Sequence, residues 1–368
     1  MYMLTLAQST SDLGGWFHDL SPFAIRITQG FGIRWYGLSY AMGFLAAYLL
    51  LRILAKRGAT EIPLWRIGDA MMYLIVGVLV GGRLFYVIGY EPHLLGFIDQ
   101  PPYWGVLAIN RGGMASHGGI IGVAIACWRI SRGFKGEHGQ FVGRTSMLAT
   151  LDTAALITPI GLLFGRVANF INGELLGAVV AKPGDHAPFW AVRYPQEITS
   201  LSDDHLAQSP EQMDAIIRLS MQHMLPNDTS WVAGYERVLG LIQRGDGALK
   251  AQLEPLIAAR YPTQLIQASL DGLLVMLAVW IVAMKPRRPG LVAGVFGIVY
   301  ALGRIPMDLI RLPDTGVSQF GFMTRGQLYS GLTLLVGLTL VLLAARSKAQ
   351  PHGGWWKSRP DKSATTDS

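Results

Sequence analysis

Residues 147–177 read MLATLDTAALITPIGLLFGRVANFINGELLG. Between Met147 and Asn172 the ionisable residues are Asp152, near the start, and Arg166, near the end. A helix over that run exceeds the roughly 20 residues needed to cross about 30 Å of hydrocarbon. The polar residues gather at its far end, where Arg166, Asn169 and Asn172 follow at i, i+3 and i+6 and so share one helix face. The stretch therefore predicts a membrane span that carries a polar cluster at one end.

Six further apolar runs extend this reading, near 33–53, 69–90, 115–131, 263–284, 291–310 and 326–346. The expected fold class is all-α and polytopic, with about seven transmembrane helices. Composition agrees: of 368 residues, 51% are hydrophobic and 15% charged, where a soluble domain carries about a quarter charged residues. The 44 glycines suit close helix packing in lipid. The single cysteine, Cys127, excludes an internal disulfide framework and a multi-cysteine metal site.

Orientation follows from the loops. Arg52, Lys56, Arg57 and Arg66 follow the first run, Arg129, Arg132, Lys135 and Arg144 the third, and KPRRPG (285–290) the fifth. The tail adds Arg346, Lys348, Lys357, Arg359 and Lys362, while the alternate short loops are poor in basic residues. The positive-inside rule places the amino terminus in the periplasm and the carboxyl terminus in the cytoplasm of a bacterial inner membrane. This orientation also explains the net charge of +7, leaving no support for nucleic-acid binding. The expected domains are a periplasmic amino-terminal segment (1–32), spans one to four (33–173), a periplasmic head (174–262), spans five to seven (263–346) and a disordered cytoplasmic tail (347–368). Within the head, DDHLAQSPEQMDAIIRLSMQHM (203–224) and GYERVLGLIQRGDGALKAQLEPLIAARY (234–261) read as amphipathic helices. The amino terminus lacks a basic region before an apolar core, so no cleaved signal peptide is expected.

With orientation set, polar residues within the spans sort by depth. Tyr300, Arg304 and Asp308 stand at i, i+4 and i+8 near the outer end of the sixth run. GGRLFY (81–86) puts Arg83 in the outer half of the second, RGGMASHGG (111–119) starts the third with His117, and RWYGLSY (34–40) sets Tyr36 at the same level. A lone arginine near a helix end usually snorkels to the headgroups, and Arg304 has a partner in reach at Asp308. The set as a whole, drawn from five helices to one depth, reads as a site. Arg83 and Arg166 have no carboxylate at helical spacing within their own apolar runs, so an outside anion such as a lipid phosphate suits them. Gly118 and Gly119 fit either a close ligand approach or close helix packing.

These blocks, taken in order with GRVANFINGELLG (165–177) and GRIPMDLIRLPD (303–314), resemble the successive signatures of the prolipoprotein diacylglyceryl transferase family, over about residues 32–345. The resemblance implies transfer of diacylglyceryl from phosphatidylglycerol to the lipobox cysteine of a prolipoprotein signal peptide, with glycerol phosphate leaving. It implies catalytic roles for His117, Arg166 and Arg304, and substrate binding by Tyr36, Arg83, Asn169, Asn172, Glu174, Gly177, Tyr300 and Asp308. Glu174 would fix an arginine. His117 would act as the base for the thiol or hydrogen-bond the glycerol while the thiol ionises unaided. No cofactor or metal is expected, and nothing calls for more than a monomer. The family usually has histidine and glutamate at the two ends of YPTQLIQ (261–267), where this chain has Tyr261 and Gln267. It usually has glutamate at Asp308, and Pro306 is unusual. The competing reading is an altered paralogue that binds lipid or peptide without turnover. A transporter would need a polar path to the cytoplasm; Asp69 and Asp152 near inner span ends read more simply as capping or solvated carboxylates. An intramembrane serine protease would need more than Ser116 adjacent to His117.

Overall fold

A computed structural model describes residues 13–28, 31–99, 101–108, 113–312 and 325–356. Each apolar run becomes a helix: α1 (Trp35–Lys56), α2 (Ile67–Gly89), α3 (Ser116–Ser131) and α4 (Met147–Asn172) in the first half. Between α4 and the next long helix lie α5 (Pro210–Met221), α6 (Trp231–Ile242) and α7 (Gly247–Leu253). Then follow α8 (Thr263–Val282), whose residues 268–274 wind as a π-helix, α9 (Leu291–Ile310) and α10 (Arg325–Arg346).

Six of the described helices are long and apolar enough to cross a membrane, making this a mostly helical, integral membrane protein. Of the roughly seven spans expected, six are long enough to cross by themselves among the described residues. The run at 115–131 forms α3, which has only 16 residues. At 1.5 Å per residue it rises about 24 Å, short of the hydrocarbon thickness.

The chain divides into two compact units. The described residues of Met1–Ala41, Leu163–Ser269 and Gly303–Gln327 form the first; Met42–Leu162, Leu270–Leu302 and Leu328–Ser368 bound the second.

In the second unit, α2 and α3 meet backbone to backbone. A Cβ on Gly81 would lie 2.3 Å from the Gly118 carbonyl oxygen, and one on Gly122 only 1.8 Å from that of Gly77. Two i, i+4 glycine pairs thus face each other, and the packing reading prevails for Gly118. Asp152, 2% exposed, accepts from the Gly290 and Ala293 amides at 2.8 Å and so caps α9, as a carboxylate should at a helix amino terminus. Asp69 pairs with Arg66 at 2.6 Å in the first turn of α2.

The tail departs from the disorder its composition suggests. Arg287 and His352 exchange backbone hydrogen bonds of 2.9 and 2.8 Å, His352 Nε2 meets Asp152 Oδ2 at 3.0 Å, and Trp355 Nε1 donates to the Trp280 carbonyl at 2.9 Å. Gly353 and Gly354, at φ of 71° and 89°, supply the left-handed turn that brings Trp355 back onto α8. Residues 357–368 lie outside the described residues.

In the first unit, the two amphipathic stretches fold as expected into α5 to α7, around a core that includes Phe17, Ile216, Tyr235, Val238, Leu253 and Ile257. Ser209 and Gln212 form a reciprocal capping box, with Pro210 at the first helical position. The all-α expectation fails here. Short strands β1 (Trp16–Phe17), β2 (Phe23–Thr28) and β3 (Phe31–Arg34) precede α1 in this unit, while β4 (Phe134–Lys135) and β5 (Phe141–Val142), which belong to the second unit, form a ribbon after α3. β6 (Val179–Ala181), β7 (Val192–Arg193) and β8 (Ala259–Arg260) join β1 in a four-stranded sheet of order β1-β7-β8-β6. Strands of two or three residues carry no periodicity that a sequence reading could detect.

Two buried arginines hold this sheet. Arg260 and Glu197, both with 0% side-chain exposure, pair at 2.5 Å. Arg260 also donates to the Gly177 and His205 carbonyls, while Glu197 accepts from the Ala258 amide and Gln208. Arg193 donates to the carbonyls of Ile257, Asp185 and Leu13. Each ion makes three such contacts, the condition under which a buried charge is tolerated, although Arg193 Nε has no partner among the described residues.

Candidate active site

The end of α4 supplies the centre of the candidate site. Gly173, at φ 66°, ends the helix, and the chain turns so that the Glu174 amide donates back to the Asn169 carbonyl at 3.0 Å. The same turn brings the Glu174 carboxylate onto two side chains of the helix face. Asn169 Nδ2 donates to Oε2 at 3.0 Å and Asn172 Nδ2 to Oε1 at 3.1 Å. Glu174 itself remains exposed, so lone pairs on both oxygens face outward. Among the described residues, the side chains that donate to the Glu174 carboxylate are these two asparagines.

Tyr36, in the first turn of α1, lies within electrostatic reach of both Glu174 and Arg166, and its hydroxyl is 3.3 Å from that of Tyr40. The carboxyl-terminal end of α9 is tied to the same turn. The Leu312 amide donates to the Leu176 carbonyl at 3.2 Å, and the Ala178 amide to the Ile310 carbonyl at 2.8 Å. Arg304 and Asp308 stand on that end of α9, which continues through Pro306. Their ion pair is long, 3.7 Å, with side chains 13% and 9% exposed. Arg304 Nη1 is buried and finds no hydrogen-bond partner among the described residues. The expected pairing exists, yet it does not use up the guanidinium.

Gly177 is buried, and a Cβ there would lie 2.5 Å from the Tyr261 carbonyl oxygen. Its place is therefore close backbone packing beside the site. Tyr36, Arg166, Asn169, Asn172, Glu174, Gly177, Arg304 and Asp308 all belong to the first unit; Arg83, His117 and Tyr300 belong to the second. Arg83, 3% exposed, donates from Nε to the Val106 carbonyl at 2.9 Å, from Nη1 to Gly113 at 3.0 Å and from Nη2 to Gly105 at 2.6 Å. These bonds make it a clamp on the loop before α3. Tyr300 stacks on Phe296 with ring centroids 6.0 Å apart. His117 is the second residue of α3, and its side chain lies outside the described residues.

The model of the prolipoprotein diacylglyceryl transferase family matches residues 22–343.

The chain belongs to that family.

A phosphatidylglycerol–prolipoprotein diacylglyceryl transferase of Bdellovibrio bacteriovorus is 39% identical over 360 residues, covering 94% of this chain and 98% of the relative. Proteins of the same name from Solidesulfovibrio magneticus (33% over 335 residues) and Stenotrophomonas maltophilia (31% over 334) each match 90% of the chain, and 97% and 94% of their own length. As a member of the diacylglyceryl transferase family, the protein is a membrane-bound transferase. The span that matches the transferase family contains every candidate residue above.

The sequence reading missed the interior of YPTQLIQ. Thr263 and Gln264 are 0% exposed; Thr263 Oγ1 donates to the Leu175 carbonyl at 2.8 Å, and Gln264 Nε2 donates to that of Glu174. Two polar residues opening an otherwise apolar span were the available signal. Gln267 is also 0% exposed, and neither of its amide atoms has a hydrogen-bond partner among the described residues. At so dry a position a neutral amide costs far less than the carboxylate usual in the diacylglyceryl transferase family. Tyr261 lies against Trp190 in a tilted ring contact, with centroids 5.3 Å apart.

Proposed function

We propose that this protein transfers the diacylglyceryl group of phosphatidylglycerol to the lipobox cysteine thiol of prolipoproteins, the first step of bacterial lipoprotein maturation. The cysteine sulfur bonds to the glyceryl carbon as the carbon–oxygen bond to phosphate breaks, giving a thioether and free glycerol phosphate. His117 takes the thiol proton as base, or orients the glycerol while the released phosphate ester collects the proton. Arg166 and Arg304 stabilise the charge that builds on the departing phosphate. Glu174, with Asn169 and Asn172 behind it, accepts from headgroup hydroxyls, and Tyr36 borders the same space. Arg83 acts by holding its loop.

The observation that carries this reading is Arg304: a guanidinium 87% out of solvent by its 13% exposure, 3.7 Å from its carboxylate and with Nη1 unpartnered among the described residues. A phosphate oxygen would complete it, through the charge-assisted bond that arginine makes best. In our reading the protein sits in the bacterial inner membrane with its amino terminus and head (174–262) periplasmic and its carboxyl terminus cytoplasmic, α3 serving as a seventh, short span. It acts as a monomer and requires no cofactor.

The test is glycerol phosphate release by detergent-purified protein supplied with phosphatidylglycerol and a lipobox peptide. Removing one preorganised donor from a developing anion costs about 10²–10³ in kcat, and Arg304→Gln and Arg166→Ala should each lose that much. His117→Ala should lose as much if it is the base, and markedly less if it only orients the glycerol. Unchanged turnover in Arg304→Gln would refute the phosphate role.

A further inference from the structure

The Glu174 turn is locally unstable and is held from outside. Gly173 and Leu175 flank Glu174 at φ of 66° and 57°. A leucine in that left-handed region is strained and persists only where its surroundings impose it. Each carbonyl from 174 to 178 accepts from a different donor: Gln264 Nε2, Thr263 Oγ1, the Leu312 amide, an Arg260 guanidinium nitrogen and the Tyr261 amide, in that order. Four of the five donors come from residues 260–264.

Of these, the Gln264 bond sits directly on the residue whose carboxylate Asn169 and Asn172 hold. A glutamine amide has two faces of nearly equal shape, and only the nitrogen can donate. Flipped, it would aim an oxygen at the Glu174 carbonyl and release the turn. Tyr194 prevents the flip. Its hydroxyl donates to Gln264 Oε1 at 3.1 Å, and both residues are 0% exposed. The Tyr194 ring is fixed in turn against His18, with centroids 5.3 Å apart, and by an edge contact at 6.3 Å to Phe170 in the last turn of α4.

We infer that Tyr194 and Gln264 are positioning residues for the transfer reaction: the tyrosine hydroxyl orients the Gln264 amide, and the amide sets the Glu174 carboxylate that faces substrate. This rests on the transferase reading above and assigns the head a direct part in it. Burial alone would make the pair a folding element; positioning further requires that turnover fall while the protein stays folded.

The experiment uses the full chain in detergent, with phosphatidylglycerol and a lipobox peptide, comparing wild type with Tyr194→Phe, Gln264→Met, the double variant and Gln264→Glu. Thermal unfolding is measured on each, and kcat is expressed per folded protein. Misplacing a binding group by about 1 Å costs up to about 100-fold, so Tyr194→Phe, which deletes one oxygen, should lose about 10-fold in kcat. In the Gln264→Met background the same deletion should cost nothing more, since it acts through Gln264. Gln264→Glu can donate only while protonated, so its turnover should rise relative to wild type as pH falls. Tyr194→Phe with wild-type kcat, or a loss that multiplies that of Gln264→Met, overturns the inference. If Gln264→Met does not fold, Tyr194→Phe decides alone. A folded wild type that transfers nothing fails at the earlier step, the transferase reading itself.

Discussion

His18 shows a single side chain joining the amino-terminal segment to the end of α4. Its Nε2 lies 2.7 Å from the Phe170 carbonyl and its Nδ1 3.0 Å from Gln196 Nε2. A carbonyl accepts and an amide nitrogen donates, so the ring satisfies both partners as the neutral tautomer protonated on Nε2. Burial pushes its pKa below the ordinary 6.5, the Phe170 hydrogen bond opposing only in part. Unfolding therefore takes up a proton below pH 6.5. The stabilisation is complete above that pH and declines as the pH falls toward the lowered folded value. The unfolding temperature of wild type should exceed that of His18→Gln by more at pH 7.5 than at pH 5.5. A gap that widens on acidification would contradict the assignment. At this scale the sequence announced types better than uses. The polar residues at the end of α4 were legible because helical spacing puts them on one face. The work of Arg83 was not, because its partners are backbone carbonyls of Gly105, Val106 and Gly113, and carbonyls leave no mark in a sequence.

Among the elements, Asp152 does for α9 what no residue of α9 does for itself. Both its oxygens accept amides at the start of that helix, and His352 approaches one of them. Asp152→Ala removes the cap and leaves two amides with no acceptor, a loss of about 2–4 kcal/mol. Asp152→Asn keeps one carbonyl oxygen and should lose about half as much. Thermal unfolding in detergent gives both values; equal unfolding temperatures for wild type and Asp152→Ala would show that the contact adds nothing. The membrane helices were readable almost residue by residue, because a run of 20 apolar residues admits few other fates in lipid. The docked tail was not. Its GGWW core looks like a disordered terminus by composition, yet Trp355 finds the Trp280 carbonyl of α8 only because the two glycines turn the chain.

For the molecule as a whole, apolar length and basic-loop asymmetry were enough to read a polytopic fold, and the blocks from Tyr36 to Asp308 were enough to read a family. The four-stranded sheet, the Arg260–Glu197 pair and the Tyr194–Gln264 contact stayed hidden, since each joins residues more than 60 positions apart. What the architecture adds is that the carboxyl-terminal segment of α4, its turn at Glu174 and residues 174–262 fall within one compact unit. A head bound into the same unit as the Asn169–Asn172–Glu174 cluster suits direct group transfer, in which the geometry around a departing phosphate must be fixed before the thiol arrives. The most direct test of that claim is the mass of a lipobox peptide after incubation with the full chain and phosphatidylglycerol. The account predicts that the peptide gains one diacylglyceryl group on its cysteine for each glycerol phosphate released, and that a Cys→Ser peptide gains none. A folded protein that binds the lipid and leaves the peptide mass unchanged would contradict it.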